Sequence, residues 1–429
     1  MIKENQDKQR LSVDGLANNI QEMQKSTRMT AFFKSILLKK LKGLKIGGLT
    51  IVDGPKSYAF GELSPKLHAT VTVTSQEFYV FLGSGGTNGA AEAYTAGYWF
   101  ADNLVNLIQV IIKNKETMDG LESGLARLTN PITKLIHKRR QNTLQGSKNN
   151  ILAHYDLSND FYNLWLDPTM TYSSGIFLEN DSSLKGASIE KLDRFCRKLK
   201  LSKGDSVLEI GTGWGSFAVH AAKNYGCKVT TTTISDRQFK YVENLISEES
   251  LCSQITLLNS DYRELEGSFD KVVSIEMIEA VGSDYVPGFF EKASSLLKQN
   301  GLMALQGITY NHPDFDSYKS SVDFIRKYIF PGSCLISMPQ LKSAIRAKTD
   351  LTLIDVEDIT KHYAKTLSIW RQDFKKTLPQ VRGLGFSESF IRIWEFYFVY
   401  CEAGFLENLI GDFQFVFAKP DSKNIQITY

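Results

Sequence analysis

The chain has 429 residues and a formal net charge of only +3, which allows two domains and excludes a general polyanion binder, so nucleic acid is not an expected partner. Its five cysteines (Cys196, Cys227, Cys252, Cys334, Cys401) are widely spaced without a C-x-x-C pair, and its six histidines show no metal-ligand spacing. This argues against a disulfide framework and a metal site and for a reducing compartment. Neither a signal-peptide core nor a bilayer-length apolar run is present, so the expected location is cytoplasmic, with membrane contact only peripheral.

Residues 1–27 are polar and expected to be flexible. From Met29 to Leu44, Phe32, Phe33, Ile36, Leu37, Leu38 and Leu41 recur at helical spacing between Lys34, Lys39, Lys40, Lys42 and Lys45. Such a helix either lies on anionic lipid or faces a core with solvated lysines. Residues 49–83 alternate like strands, at Leu49–Val52, Ala69–Thr74 and Phe78–Leu82. Gly83-Ser-Gly-Gly reads as a loop, and Ala90–Asn114 as helix in two pieces. Residues 28–137 therefore form a small α+β domain. Residues 138–150, with Lys138, Arg139 and Arg140, read as a basic linker.

A second domain is expected over 151–429. Strand candidates at 206–210, 228–233, 255–258, 270–275, 301–308, 351–356 and 412–418 alternate with helices. That rhythm predicts an α/β domain with a doubly wound, mainly parallel, seven-stranded sheet.

The first of these strands carries the strongest signal, Ser206-Val-Leu-Glu-Ile-Gly-Thr-Gly-Trp-Gly215. Strand, glycine turn and helix bring backbone close to a nucleotide-type ligand. The spacing departs from G-x-G-x-x-G, because Ser216 takes the final position and the third glycine comes early at Gly215. The pattern suits S-adenosylmethionine better than NAD. Glu209 either holds the helix start or meets a ligand ammonium group. Gln238 sits one turn into the helix after the second strand, where an amide suits ribose hydroxyls, although an ordinary surface amide is as frequent there. Asp261, after the third strand, is placed to accept from an adenine amino group. Glu276 and Glu279 follow the fourth strand, at the end of the sheet where ligands bind. The alternative for this pair is a solvated helix start.

Five patches are dense in aromatic and polar groups: His154–Tyr162, Leu166–Gly175, Arg326–Gly332, His362–Trp370 and Trp394–Phe405. Together with Leu208-Glu-Ile-Gly-Thr-Gly-Trp-Gly, Thr233-Ile-Ser-x-x-Gln238 and Ile275-Glu-Met-x-Glu279-Ala-Val-Gly, they resemble, in order, the cyclopropane-fatty-acyl-phospholipid synthases. Gly86-Thr-Asn-Gly-Ala-Ala-Glu-Ala-Tyr-Thr-Ala-Gly-Tyr-Trp resembles that family's N-terminal lipid-handling domain.

The resemblance implies a class I methyltransferase fold. It also implies an S-adenosylmethionine-dependent enzyme that alkylates a cis double bond of a phospholipid acyl chain and closes a three-membered ring. It implies cofactor contacts at Tyr172, Ser173, Gly211, Gly213, Thr233, Gln238 and Asp261. In the family a bound bicarbonate ion is thought to be the base, and its ligands map to Ser174, Glu279, Gln306, the Ile308 backbone and Tyr363. Ser174 stands where many members have Cys, and Gln306 where some have His. The expected partners are a phospholipid bilayer with unsaturated chains, met at the inner face of the membrane, and a second copy in a homodimer.

Overall fold

The computed structural model describes residues 27–62, 66–116, 118, 157–179, 182–422, 424–427 and 429. Residues 1–26, the linker with its basic triplet, and His154, Tyr155 and Asp156 lie outside the described residues, so the expectations for them are untested. By their contacts the residues form two units, Met1–Leu135 with Lys376–Glu407, and Ile136–Lys375 with Asn408–Tyr429.

In the first unit, α1 (Thr27–Leu41) buries Phe33, Leu37 and Leu41 at four-residue spacing. The same helix leaves Met29 and Phe32 exposed beside exposed Lys39. Strands β1 (Gly48–Asp53), β2 (Lys56–Gly61), β3 (His68–Val73) and β4 (Trp99–Ala101) pair in the order β2-β1-β3-β4. The stretch 78–86 is neither strand nor loop: Glu77–Thr95 is one helix, α2, kinked at Gly86. A five-residue apolar run does not declare its period. Gly83 and Gly89 serve close packing, and Gly86, at φ +58°, makes the kink. A Cβ at Gly83 would lie 2.0 Å from the Phe33 ring, and one at Gly89 would lie 1.9 Å from the Phe81 carbonyl oxygen. Helix α3 (Leu104–Lys113) is capped by the Asn103 side chain, which accepts from the Asn106 amide.

The second unit holds the expected seven strands: β5 (Ser206–Ile210), β6 (Lys228–Thr233), β7 (Ile255–Asn259), β8 (Phe269–Ile275), β9 (Leu297–Tyr310), β10 (Thr352–Asp358) and β11 (Ile410–Ala418). Their order is β10-β11-β9-β8-β5-β6-β7, parallel from β9 through β7, with β11 antiparallel to both its neighbours. Alternate residues feed two apolar cores. Leu208, Val272 and Leu305 face one side with Phe289 and Phe415; Val207, Val273 and Ala304 face the other with Phe217 and Ala218. Burial on both faces is why these strands read as nearly continuous apolar runs.

One boundary is corrected. The domain expected as continuous over 151–429 is interrupted, because α4 (Leu378–Gly383) and α5 (Glu388–Leu406) belong to the first unit. The physical reason is that α5 is apolar on more than one face and needs cover. Tyr94 donates to Glu395 at 2.8 Å and packs on Phe396 with ring centres 5.7 Å apart, and Gln109 donates to Glu407 at 2.7 Å.

Candidate active site

The second unit has a cavity of about 170 Å³ beyond the carboxyl ends of β5, β6 and β8. The expected cofactor residues Tyr172, Ser173, Gly211, Gly213, Thr233, Gln238 and Asp261 all line it, with Lys191, Glu209, Thr212, Trp214, Glu276 and Met277. The chain leaves β5 in a tight turn, in which the Gly211 and Thr212 amides donate to the Thr232 carbonyl at 3.2 and 2.9 Å. Gly211 and Gly213 have φ of +97° and +53°, a region that favours glycine. A Cβ on Gly213 would have nothing within 4 Å, so this turn presents bare backbone to open space.

Side chains complete the crescent. Thr233 Oγ1 donates to Gln238 Oε1 at 2.8 Å, and Gln238 is 6% exposed, which removes the surface-amide reading. Asp261 is already neutralised by Arg263, accepting from its amide, Nε and Nη2 at 3.0, 2.8 and 2.6 Å. Glu209 caps no helix; it is buried, accepts from Thr231 Oγ1 at 2.6 Å, and is pushed by burial up to about 8. Thr212 Oγ1 is buried without a protein partner, a polar atom left over for a ligand. Lys191 is fully enclosed and donates to Ser173 Oγ at 2.7 Å. Burial pulls it down to about 8, against the pull of nearby carboxylates led by Glu276. No sequence signal singles out Lys191, because a lysine in a helix ordinarily reads as solvated surface.

Beside the crescent lies a second cluster. Of the residues mapped for bicarbonate, Ser174, Gln306 and Tyr363 close on Glu276, and Ile308 closes on Glu279. Glu276 Oε1 accepts from the Ser174 amide at 3.0 Å and from Gln306 Nε2 at 2.6 Å. Glu276 Oε2 accepts from the Tyr363 hydroxyl at 2.6 Å. The Ile308 amide donates to Glu279 Oε1 at 2.5 Å, and the Ser174 hydroxyl turns away to the Gly175 carbonyl at 2.9 Å. The residues mapped for bicarbonate therefore do not fit it: their donors already serve oxygen atoms of the protein, most of them carboxylates, and a further anion would meet like charge. Glu276 holds φ +48°, a conformation costing on the order of 1–3 kcal/mol in a residue with a Cβ. Three donors on its carboxylate offset that strain.

Asp412 and Gln414 complete the cluster from β11. Gln414 Nε2 donates to Gln306 Oε1 at 3.2 Å, which turns the Gln306 NH2 towards Glu276 and towards Asp412 Oδ2 at 3.0 Å. Both were missed in the sequence, where the available signal was two polar residues inside an apolar strand; each is fully buried. Burial raises Glu276, and its hydrogen bonds, led by Tyr363, oppose this. Burial and then the Glu276 charge push Glu279 up to about 8 and raise Asp412 well above the usual carboxylate range. Aromatic rings back one wall of the cavity: Tyr172, which lines it, packs against Tyr162, Trp165 and Trp370 at 5.5, 5.4 and 5.4 Å between ring centres, and stacks on Phe330 at 6.4 Å.

Residues 142–415 match the family model described as mycolic acid cyclopropane synthetase. The chain belongs to this family. It is an S-adenosylmethionine-dependent methyltransferase with the class I methyltransferase fold. It is 31% identical to the cyclopropane-fatty-acyl-phospholipid synthase of Escherichia coli K12, over 84% of this chain and 90% of that protein. The tuberculostearic acid methyltransferase UfaA1 of Mycobacterium tuberculosis is 33% identical, over 78% and 79%. The solved cyclopropane synthase MmaA2 from Mycobacterium tuberculosis superposes with a TM-score of 0.60 at 30% identity, covering 63% of this chain and 98% of that one. A second solved family member, CmaA1 complexed with SAH, gives a TM-score of 0.60 at 32% identity, covering 63% and 98%. Among the described residues of this methyltransferase, no helix is long and apolar enough to cross a membrane.

Proposed function

We propose that this methyltransferase alkylates the cis double bond of an unsaturated phospholipid acyl chain and closes a cyclopropane ring. The observation that carries this reading is that Glu276 belongs both to the cofactor cavity and to the buried hydrogen-bonded cluster, beside an aromatic wall. Bound S-adenosylmethionine supplies an electrophilic methyl group. Gly211, Gly213 and Thr212 would hold it by backbone and hydroxyl, with Thr233-oriented Gln238 and with Asp261, Tyr172 and Ser173 at its rim. An isolated alkene is a weak nucleophile, so most of the rate comes from holding the reactants in line. The carbocation that follows is one water would capture; the aromatic faces exclude water and stabilise positive charge. A base then removes a proton so that the ring closes. No step is assigned to bicarbonate, because its mapped ligands are engaged with one another and with Glu276.

The lipid class follows the phospholipid synthase among the relatives. The N-terminal unit would handle the lipid, with Met29, Phe32 and Ile46 exposed beside exposed Lys39, Lys42 and Lys45 to meet an anionic inner leaflet, and the protein would act as a peripheral, cytoplasmic homodimer. A second reading, a methyl- or methylene-branched product, is favoured by the similarity to the tuberculostearic acid methyltransferase. The deciding experiment is a proton NMR spectrum of lipids from cells that lack cyclopropanes and express this chain. High-field resonances of a cis-cyclopropane methylene are expected. A gain of CH2 without them rules out ring closure and leaves the branched product.

A further inference from the structure

Two of the donors that the family resemblance assigns to an anion, Gln306 and Tyr363, are occupied by a carboxylate of the chain itself, and the Ser174 amide joins them. Glu276 Oε1 receives the Ser174 amide and the Gln306 amide group, and Oε2 receives the Tyr363 hydroxyl. These donors lie 102, 30 and 87 residues away in sequence and converge on one side chain. The two neighbouring acids are held differently. Glu279 Oε2 and Asp412 Oδ1 are buried and accept from nothing, as suits carboxyls that keep their protons beside an ionised neighbour. Glu276 alone of the three lines the cofactor cavity, and it keeps part of its surface open to that cavity.

Resting on the alkylation reading, we propose that Glu276 is itself the proton acceptor of the reaction, its carboxylate standing in the place the resemblance gives to bicarbonate. The alkene attacks the cofactor's methyl carbon, the carbon–sulfur bond breaks, and the lipid becomes a carbocation. The Glu276 carboxylate then takes a proton from the former methyl group. The electron pair of the broken C–H bond forms the last carbon–carbon bond of the ring, and cation and carboxylate become neutral product and neutral acid. The proton leaves Glu276 for solvent once the cavity opens. Tyr363 and Gln306 are positioning residues that aim the carboxylate.

The test uses the full-length protein, with vesicles of unsaturated phospholipid, under carbon-dioxide-free argon and with added bicarbonate. Wild type is expected to turn over equally in both, and [13C]bicarbonate is expected to show no binding to it by NMR. Glu276→Gln is expected to lose roughly 100-fold or more in kcat, the scale of a lost general base, while S-adenosylhomocysteine still raises its melting temperature. Glu276→Gly places glycine where φ is +48°, so the fold is expected to tolerate it. That variant is expected to be inactive in depleted buffer, to bind [13C]bicarbonate, and to regain turnover with bicarbonate or formate. Bicarbonate binding to wild type, a wild-type rate that collapses without carbon dioxide, or full activity in Glu276→Gln each overturns the proposal. If no protein alkylates the lipid, the reading of the reaction fails and removes the proton-acceptor role with it. The bicarbonate titration still reports whether Glu276 fills the anion's place.

Discussion

The glycine crescent and the acid cluster lie side by side at one end of one sheet, and they treat polar groups in opposite ways. The crescent leaves its polar groups for a ligand: bare backbone at Gly213, an orphan hydroxyl at Thr212, an amide at Gln238 steadied by one neighbour. The cluster spends its donors internally, and Ser174, Gln306 and Tyr363 all close on Glu276. A binding surface must stay unsatisfied until its ligand arrives, whereas a base must be held in one place and one ionisation state beforehand. The difference teaches that affinity for the cofactor and proton removal are separable here, although Glu276 touches both.

That separation is open to four attacks beyond the Glu276 variants. The largest expected effect is Gly213→Val, which forces a β-branched residue into a positive φ and a side chain into the open turn. At about 100 times its Kd, S-adenosylmethionine is expected to stabilise wild type by roughly 2.7 kcal/mol and this variant not at all, as read by thermal melts. Unchanged protection would remove the cofactor from the crescent. Next is Tyr363→Phe, which deletes a hydrogen bond to a charged group worth about 1.5–3 kcal/mol. A drop of roughly 10- to 100-fold in kcat is expected, with cofactor protection intact. Loss of protection as well would show that the two regions act as one. Third, Thr233→Val frees the Gln238 amide. Cofactor affinity is expected to weaken by about fivefold, as one neutral hydrogen bond of about 1 kcal/mol predicts, with kcat retained under saturation. A kcat defect without an affinity defect would contradict the division.

The fourth test reads stability and leaves activity aside. Glu209 stands at about 8 in the folded protein against an ordinary 4.5, so the folded state keeps a proton that the unfolded chain releases. Its contribution is full below the ordinary value and is lost as pH rises to about 8, at up to about 1.4 kcal/mol per pH unit. Glu209→Gln is expected to flatten that slope in urea titrations across this window. An unaltered slope would place the titration on Glu279, which has the same folded value and the same sign.

How much was legible follows from how local each feature is. The strands of the second unit declared themselves because each is a short apolar run bounded by turn residues, and Gly211, Gly213 and Gln238 sit at fixed offsets from strand ends. The run Phe78–Leu82 misled because five apolar residues carry no period, and the packing of Phe33 against Gly83 is a contact between distant segments. The helix Glu388–Leu406 misled for a related reason: adjacency in sequence placed it with the second unit, while its apolar surface is covered by residues three hundred positions earlier.

The sequence by itself determined the family, the sheet and the cofactor turn, since motif spacing, strand period and glycine placement are properties of neighbouring residues. Only the tertiary structure decided what the carboxylates do. That Glu276 receives three donors, and Glu279 and Asp412 fewer, depends on β8, β9, β11 and the helix Thr360–Lys376 meeting in space. In that crowded interior the hydrogen bonds, and not the residue type, select the acid that holds the charge.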